Sequence, residues 1–405
     1  AIEHDTMDTT FRSMYQGLYI YLSARKERRD LLLSQRPPRF DESLDSMISR
    51  SEDDFTRIAL KAKAAQDYFL LIGPPGTGKT SCALKKMVET FHADKDAQIL
   101  LLSYTNRAVD EICKSLASIA PAVDFIRVGS ELSCDEAYRG HLIENELSSC
   151  NRRSEVYERI RNCRIIVGTV AAISGKPELF RLKHFDVAII DEATQILEPQ
   201  LLGILCARGE DGKDAIDKFV LIGDHKQLPA VVQQNTEQSA IYDESLLSIG
   251  LTNLKDSLFE RLYRNCTATV HRSYDMLCRQ GRMHPEVALF ANRAFYGGRL
   301  IPVGLPHQIE SSDTICRLAF YPSVPEKAGA SAKINYSEAR IVADLAARIY
   351  EDHQTDFDES RTLGIITPYR SQIALIKKEI ESLGIPALNR ILVDTVERFQ
   401  GSERD

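Results

Sequence analysis

The run GPPGTGKT at residues 73–80 concentrates more chemistry than any other part of the sequence. Gly73, Pro74, Pro75, Gly76, Thr77, Gly78, Lys79 and Thr80, continued by Ser81, fit the pattern GxxxxGK[ST]. The pattern follows an apolar run, YFLLI, and precedes SCALKKMVETF, whose spacing is helical. In that context glycines let backbone amides close around phosphate oxygens, and the helix N-terminus adds positive partial charge. Lys79 would reach the β- and γ-phosphates of a nucleoside triphosphate, and Thr80 would ligate Mg2+. The bland alternative, a Gly-Pro turn, does not account for the strand before and the helix after.

Asp191 and Glu192 end another apolar run, VAIIDEA. Ligands of an open parallel sheet gather at the carboxyl ends of its strands, so this pair should face the phosphate loop. Asp191 would hold Mg2+ and Glu192 would orient and deprotonate an attacking water. An acidic pair after a strand also suits a helix N-terminus, and only the phosphate loop shifts the balance toward chemistry. Gln227, in GDHKQLPAVV, is a neutral side chain able to sense a γ-phosphate, although the segment alone is only a loop.

These residues need a scaffold. Five apolar runs alternate with helical stretches: YFLLIG (68–73), QILLLSYT (98–105), RIIVGTV (164–170), VAIIDEA (187–193) and FVLIGD (219–224). Fully apolar strands between helices predict a parallel sheet covered on both faces, hence an α/β fold. Residues 129–162 are polar, helically spaced and too long for an ordinary loop, which predicts a small helical insertion. Three later runs, ICRLAFY (315–321), TLGIIT (362–367) and RILVDTV (390–396), predict a second α/β lobe. Near the start, Phe11, Met14, Tyr15, Leu18 and Leu22 share one helical face that needs a partner, and that helix should end before Pro37.

Composition narrows the class. With 405 residues, 43% hydrophobic and 27% charged, the chain can bury large cores and divide into two or three domains. Residues 1–10 lack the basic start and apolar core of a signal peptide and no apolar run is long enough to span a bilayer, so a cytoplasmic protein is expected, nucleoid-associated if bacterial. Nine scattered cysteines without a CxxC pair signal neither zinc nor a disulfide framework. A net charge of -7 argues against wholesale polyanion binding but leaves room for a local nucleic-acid groove.

The DEATQ run at 191–195, GDHKQLP, LCRQGRMHPEVALFANRAFYGGRL (277–300), TPYRSQ (367–372) and the terminal TVERFQGSERD together resemble superfamily 1 helicases. Within that superfamily they resemble the 5′-to-3′ branch that holds the nonsense-mediated-decay helicase and the replication helicase-nuclease. The resemblance covers about residues 55–405. It implies two RecA-like lobes that sandwich ATP with Mg2+ while single-stranded nucleic acid crosses both. By matching position, Arg282 in QGRMHP is implied as an arginine offered to the γ-phosphate by the second lobe, with a surface salt bridge as its alternative. Gly401 and Glu403 are implied at the nucleotide-facing end of that lobe, Glu403 near the ribose. Thr105, Asn106, Thr169 and Thr395 are implied on the strand track, where hydroxyls and amides touch phosphates without reading sequence. Each threonine could equally cap the following helix.

The expected division is a helical N-terminal stalk at 1–50, lobe 1 at 51–258, and lobe 2 at 259–405, incomplete because the last core strand and a final catalytic arginine do not follow Asp405. Further domains of a longer parent are expected, this piece alone should turn ATP over slowly, and a monomer is expected. DNA is favoured over RNA on resemblance alone. Relatives usually have Tyr where Gly281 stands, and a Gln upstream of the phosphate loop that is missing here, so weak base discrimination is expected. Two other classes stay open, a catalytically weak ATP-gated nucleic-acid clamp and an ATPase that remodels RNA–protein complexes.

Overall fold

The computed structural model describes residues 9–232, 234–269, 271–310, 317–323, 333–399 and 404. Seven strands form one all-parallel sheet: β1 (Tyr68–Ile72), β2 (Ile99–Ser103), β3 (Phe125–Val128), β4 (Ile165–Thr169), β5 (Phe185–Ile190), β6 (Ile216–Gly223) and β7 (Tyr274–Met276), in the order β3-β4-β2-β5-β6-β1-β7. The five strands expected from apolar runs are all present. The sheet is fully covered, as parallel pairing requires: along β1, Leu70 and Ile72 enter one core and Phe69 and Leu71 the other. Strands such as β1 and β2 therefore read as almost continuously apolar, because both of their faces are inside.

Two strands of this sheet escape the sequence reading. FIRV of β3 carries an arginine that reads as polar, yet Arg127 is buried and paired with Asp110. YDM of β7 is short and half-buried, and it joins the sheet through Leu70↔Tyr274 and Ile72↔Met276. Residues 129–162 hold only short helical pieces, ending in the helix Arg153–Asn162, as expected for the insertion.

The boundary between units falls later than residue 258. One compact unit runs to Met283 and also takes 291–308; the other takes 284–290 and 309 onward. The physical reason is burial: the helix Leu258–Ala268 places Leu258, Phe259, Leu262 and Cys266 in a core of the first sheet, and β7 then extends that sheet. Two further short strands, β8 (Arg279–Gln280) and β9 (Ile301–Pro302), pair in parallel within the same unit.

The N-terminal helix Thr9–Leu22 docks on the helix Glu198–Leu205 through Gly17, where a Cβ would lie 2.5 Å from the Pro199 carbonyl oxygen and 3.2 Å from the Gly203 nitrogen. The contact is a glycine-to-glycine crossing. Its expected apolar face does not make it: Phe11, Tyr15, Leu18 and Leu22 are 37% to 74% exposed. Arg261 secures the next turn of chain by donating to the Leu32 carbonyl at 2.7 Å and, through Nε, to Glu198 at 2.9 Å.

The second unit is built on a parallel pair, β10 (Gly364–Ile366) and β11 (Leu392–Asp394), with the helices Tyr336–Asp352 and Arg370–Ser382. Ala339, Ala343, Ile376, Ile380 and Val393 form its core. Of the expected strand ICRLAFY, residues 315 and 316 lie outside the described residues, and 317–321 are irregular, with Leu318 and Phe320 exposed. Among the described residues no helix is long and apolar enough to cross a membrane.

Candidate active site

The phosphate loop, the acidic pair and Gln227 all lie at the carboxyl end of the first sheet, on the turns after β1, β5 and β6. The order β5-β6-β1 makes those strands neighbours, so three segments far apart in sequence converge. Gly76 and Gly78 hold φ of +73° and +75°, which a side chain would resist. Thr77 is buried and donates to the Pro74 carbonyl at 2.7 Å, which closes the loop on itself. Behind the loop, Lys79–Leu84 forms a wide π-type turn that passes into the helix Lys85–His92.

The charged and polar groups of the site pair with one another. Lys79 Nζ lies 3.1 Å from Glu192 Oε1, and Thr80 Oγ1 donates to Asp191 Oδ2 at 2.5 Å. Burial opposes the charge on Lys79, yet the carboxylates of Glu192 and Asp191 raise its pKa above the ordinary lysine value. Burial and the neighbouring Glu192 raise the Asp191 carboxyl, against the pull of Lys79 and Thr80. Asp191 is 1% exposed, so a carboxylate there needs a cation or donors. Glu192 sits at φ +53°, a left-handed conformation costly for a glutamate, with Oε2 held by Gln195 Nε2 at 3.0 Å. The turn spends conformational energy to aim this one side chain.

Hard oxygen donors from Thr80 and Asp191, side by side on a buried carboxylate, fit Mg2+. The Lys79 ammonium and the left-handed glycine loop fit phosphate.

Arg282 belongs to the first unit, not to a second lobe. Gly281 donates to the Gly76 carbonyl at 2.8 Å, and a Cβ on Gly76 would meet the Arg282 Cβ at 2.4 Å. Buried Gln280 fixes this segment: its Oε1 accepts from the Arg282 and Met283 amides at 3.0 and 2.8 Å. Gln308 in turn donates to the Gln280 and Met283 carbonyls, both at 3.0 Å. A side chain at 281 would border Leu305 and Val303 at 3.3 and 3.4 Å.

Thr105 and Thr169 sit just beyond and at the ends of the paired strands β2 and β4. Each accepts from the amide three residues on, at 3.2 and 3.1 Å, and so caps the helix that follows. Thr105 and Asn106 are exposed; Thr169 is 7% exposed. Thr395 lies in the other unit, before the short helix Val396–Phe399. Gly401 and Glu403 lie outside the described residues.

Sequence reasoning missed Asp224, buried at the end of β6, which accepts Gln227 Nε2 at 2.8 Å and the Tyr296 hydroxyl at 2.7 Å. Its place three residues before Gln227 was a usable signal. Tyr296 lies within the run 277–300, where nothing singled it out.

Two family models, each described as an AAA domain, match this chain, one over residues 50–153 and 143–235 and the other over 254–405. The DNA replication ATP-dependent helicase/nuclease DNA2 of Bos taurus is 28% identical, covering 94% of this chain and 37% of the relative. Its Arabidopsis thaliana counterpart, JHS1, is 28% identical over 100% of this chain and 30% of its own length. The DNA polymerase alpha-associated DNA helicase A of Saccharomyces cerevisiae is 22% identical over 100% of this chain and 66% of its own. The chain thus spans roughly a third of the helicase/nucleases it matches. A solved arterivirus nonstructural protein 10 helicase with DNA aligns over 85% of this chain and 63% of its own, at 14% identity and a TM-score of 0.38, too slight a likeness to carry weight. A phosphate loop, an acidic pair and a glutamine turn converging on one parallel sheet, within two tandem AAA-domain matches and similarity to DNA helicases across nearly the whole chain, place it in the superfamily 1 helicase family, where it resembles the replication helicase-nucleases.

Proposed function

We propose that the protein hydrolyses ATP with Mg2+ and couples it to 5′-to-3′ movement along single-stranded DNA. One observation supports this most: the two ion-pair and hydrogen-bond contacts within the site, Lys79 to Glu192 and Thr80 to Asp191, join the groups that would separate around a nucleotide.

The exchange follows from charge. Lys79 leaves Glu192 for phosphate oxygens, which carry more negative charge than one carboxylate. Thr80 and Asp191 would hold Mg2+, whose chemistry would be to neutralise charge on the phosphates. Glu192, released by Lys79 and held by Gln195 and its strained backbone, keeps a free carboxylate oxygen to orient a water and take its proton. Gln227 senses whether the γ-phosphate is present. Arg282, pinned on the phosphate loop by Gln280 and Gly281, stands close enough to that loop to stabilise phosphoryl charge.

The strand track would use Thr105, Asn106, Thr169 and Thr395. Thr105 and Thr169 cap helices at the carboxyl edge of the sheet, so the free N-terminal amides of those helices stand beside them, suited to phosphate rather than base contacts. The preference for DNA rests on the names of the relatives, and a monomer is proposed. Directional strand displacement tests the proposal: duplexes with a 5′ overhang should be unwound and those with a 3′ overhang should not. Equal unwinding of both overhangs contradicts the direction.

A further inference from the structure

Asp224 is 1% exposed, and three donors hold its carboxylate. The Lys226 amide donates to Oδ1 at 3.0 Å, whereas Gln227 Nε2 at 2.8 Å and the Tyr296 hydroxyl at 2.7 Å share Oδ2. A carboxylate only accepts, so the Gln227 amide must present its NH2 to Asp224. The amide nitrogen that would donate to a γ-phosphate is the one that holds Asp224, so a Gln227 that turns to phosphate takes a donor from a buried anion, and a buried charge tolerates that poorly.

Tyr296 removes the obstacle. It is 4% exposed and terminates the helix Pro285–Tyr296. The turn after it is fixed by Asn292, whose side chain both donates to the Leu300 carbonyl and accepts from the Leu300 amide, each at 2.9 Å. Burial, then the bond to Asp224, pushes its phenol well above the ordinary tyrosine value, so it remains a donor throughout the working pH range. We propose that Tyr296 is a positioning residue for hydrolysis: its hydroxyl keeps the Asp224 carboxylate satisfied while Gln227 turns to the γ-phosphate. This rests on the proposal that Gln227 is the γ-phosphate sensor, and it assigns Tyr296 no contact with nucleotide.

The test is nucleic-acid-stimulated ATP hydrolysis by the full-length protein. Tyr296→Phe keeps the ring and its packing but, among the described residues, leaves Gln227 as the only side-chain donor to Asp224, so Gln227 is held more tightly. It should lower kcat about fivefold or more and leave KM for ATP within about twofold. In a Gln227→Ala background the same change should alter kcat less than about twofold, because there is no glutamine left to release. A merely structural tyrosine would give equal losses in both backgrounds, and that result overturns the proposal, as does a Tyr296→Phe enzyme with normal kcat. If Gln227→Ala alone leaves kcat unchanged, the sensor assignment fails and takes this one with it; additive losses with an active Gln227 overturn only the role of Tyr296. Should Tyr296→Phe fold poorly, Asp224→Asn decides: a neutral acceptor grips Gln227 less, so turnover without nucleic acid should rise about threefold, and a comparable fall overturns the proposal.

Discussion

Replacing Gly76 by alanine should do more damage than its backbone conformation alone can explain. Its φ of +73° costs an L-residue about 1–2 kcal/mol. The new methyl would also stand 2.4 Å from the Arg282 Cβ and 3.1 and 3.3 Å from the Arg282 N and Cα. Those are backbone or near-backbone atoms, held by Gln280 and by the Gly281 to Gly76 hydrogen bond, so rotating a side chain gives no relief. Overpacking of that kind costs about 1–3 kcal/mol more. Gly212 supplies the control: its φ is +75° and nothing lies within 4 Å of its would-be Cβ. Gly212→Ala should therefore lose only the conformational part, about 1–2 kcal/mol, with nucleotide binding unchanged. Gly76→Ala should lose about 2–5 kcal/mol in denaturant titrations and weaken a non-hydrolysable ATP analogue more than tenfold, at roughly 1.4 kcal/mol per decade. If the two alanines destabilise equally and both bind the analogue normally, residues 280–282 do not rest on the phosphate loop, and the placement of Arg282 is wrong.

Three other perturbations have defined outcomes. Asp67 is 3% exposed and accepts from both Arg36 and Arg39, at 2.7 to 3.1 Å. Burial resists its charge, but those donors hold its carboxyl well below the ordinary range, so its contribution is fully present above the unfolded carboxylate value of about 4 and is lost progressively as pH falls from there toward the lowered folded value. Asp67→Asn should cost about 2 kcal/mol at pH 7, since Arg39 is largely solvent-exposed, and the gap to wild type should close in acid; a gap independent of pH contradicts the pairing. Arg261→Met should cost about 3–5 kcal/mol by leaving Glu198 without its partner, read by thermal melting, and a loss under about 1 kcal/mol would mean that Glu198 reaches water instead. With Gly281 in place of a stacking ring, GTP should compete with ATP within about fivefold in kcat/KM, a difference of roughly 1 kcal/mol, and a hundredfold preference for ATP would show that base recognition comes from elsewhere.

The parts of the site that the sequence made legible are those where one short segment carries its own context. Residues 73–80 bring strand, glycines, lysine and helix together, and Asp191-Glu192 and Gln227 each follow an apolar run, so their convergence follows from parallel-sheet topology. What stayed illegible depends on contacts between distant segments. β7 is three residues long with half-buried side chains, so no periodicity announces it, yet it carries the chain back alongside β1 and delivers Arg282 to the phosphate loop. Tyr296 reads as one more aromatic in a helix, and only its distance to Asp224 gives it a role. The N-terminal helix shows a different failure: its apolar periodicity was real, but docking followed Gly17, where two backbones can approach, and the marked face stayed exposed.

The most direct measurement is ATP hydrolysis by the full-length protein with and without single-stranded DNA and RNA oligomers, with Lys79→Ala as the blank. Single-stranded DNA should stimulate turnover about tenfold or more, RNA should do so less, and Lys79→Ala should abolish both, because it removes the group that exchanges Glu192 for phosphate. Strand binding with no change in turnover, or turnover that survives Lys79→Ala, would contradict an ATP-driven motor and leave a clamp in its place.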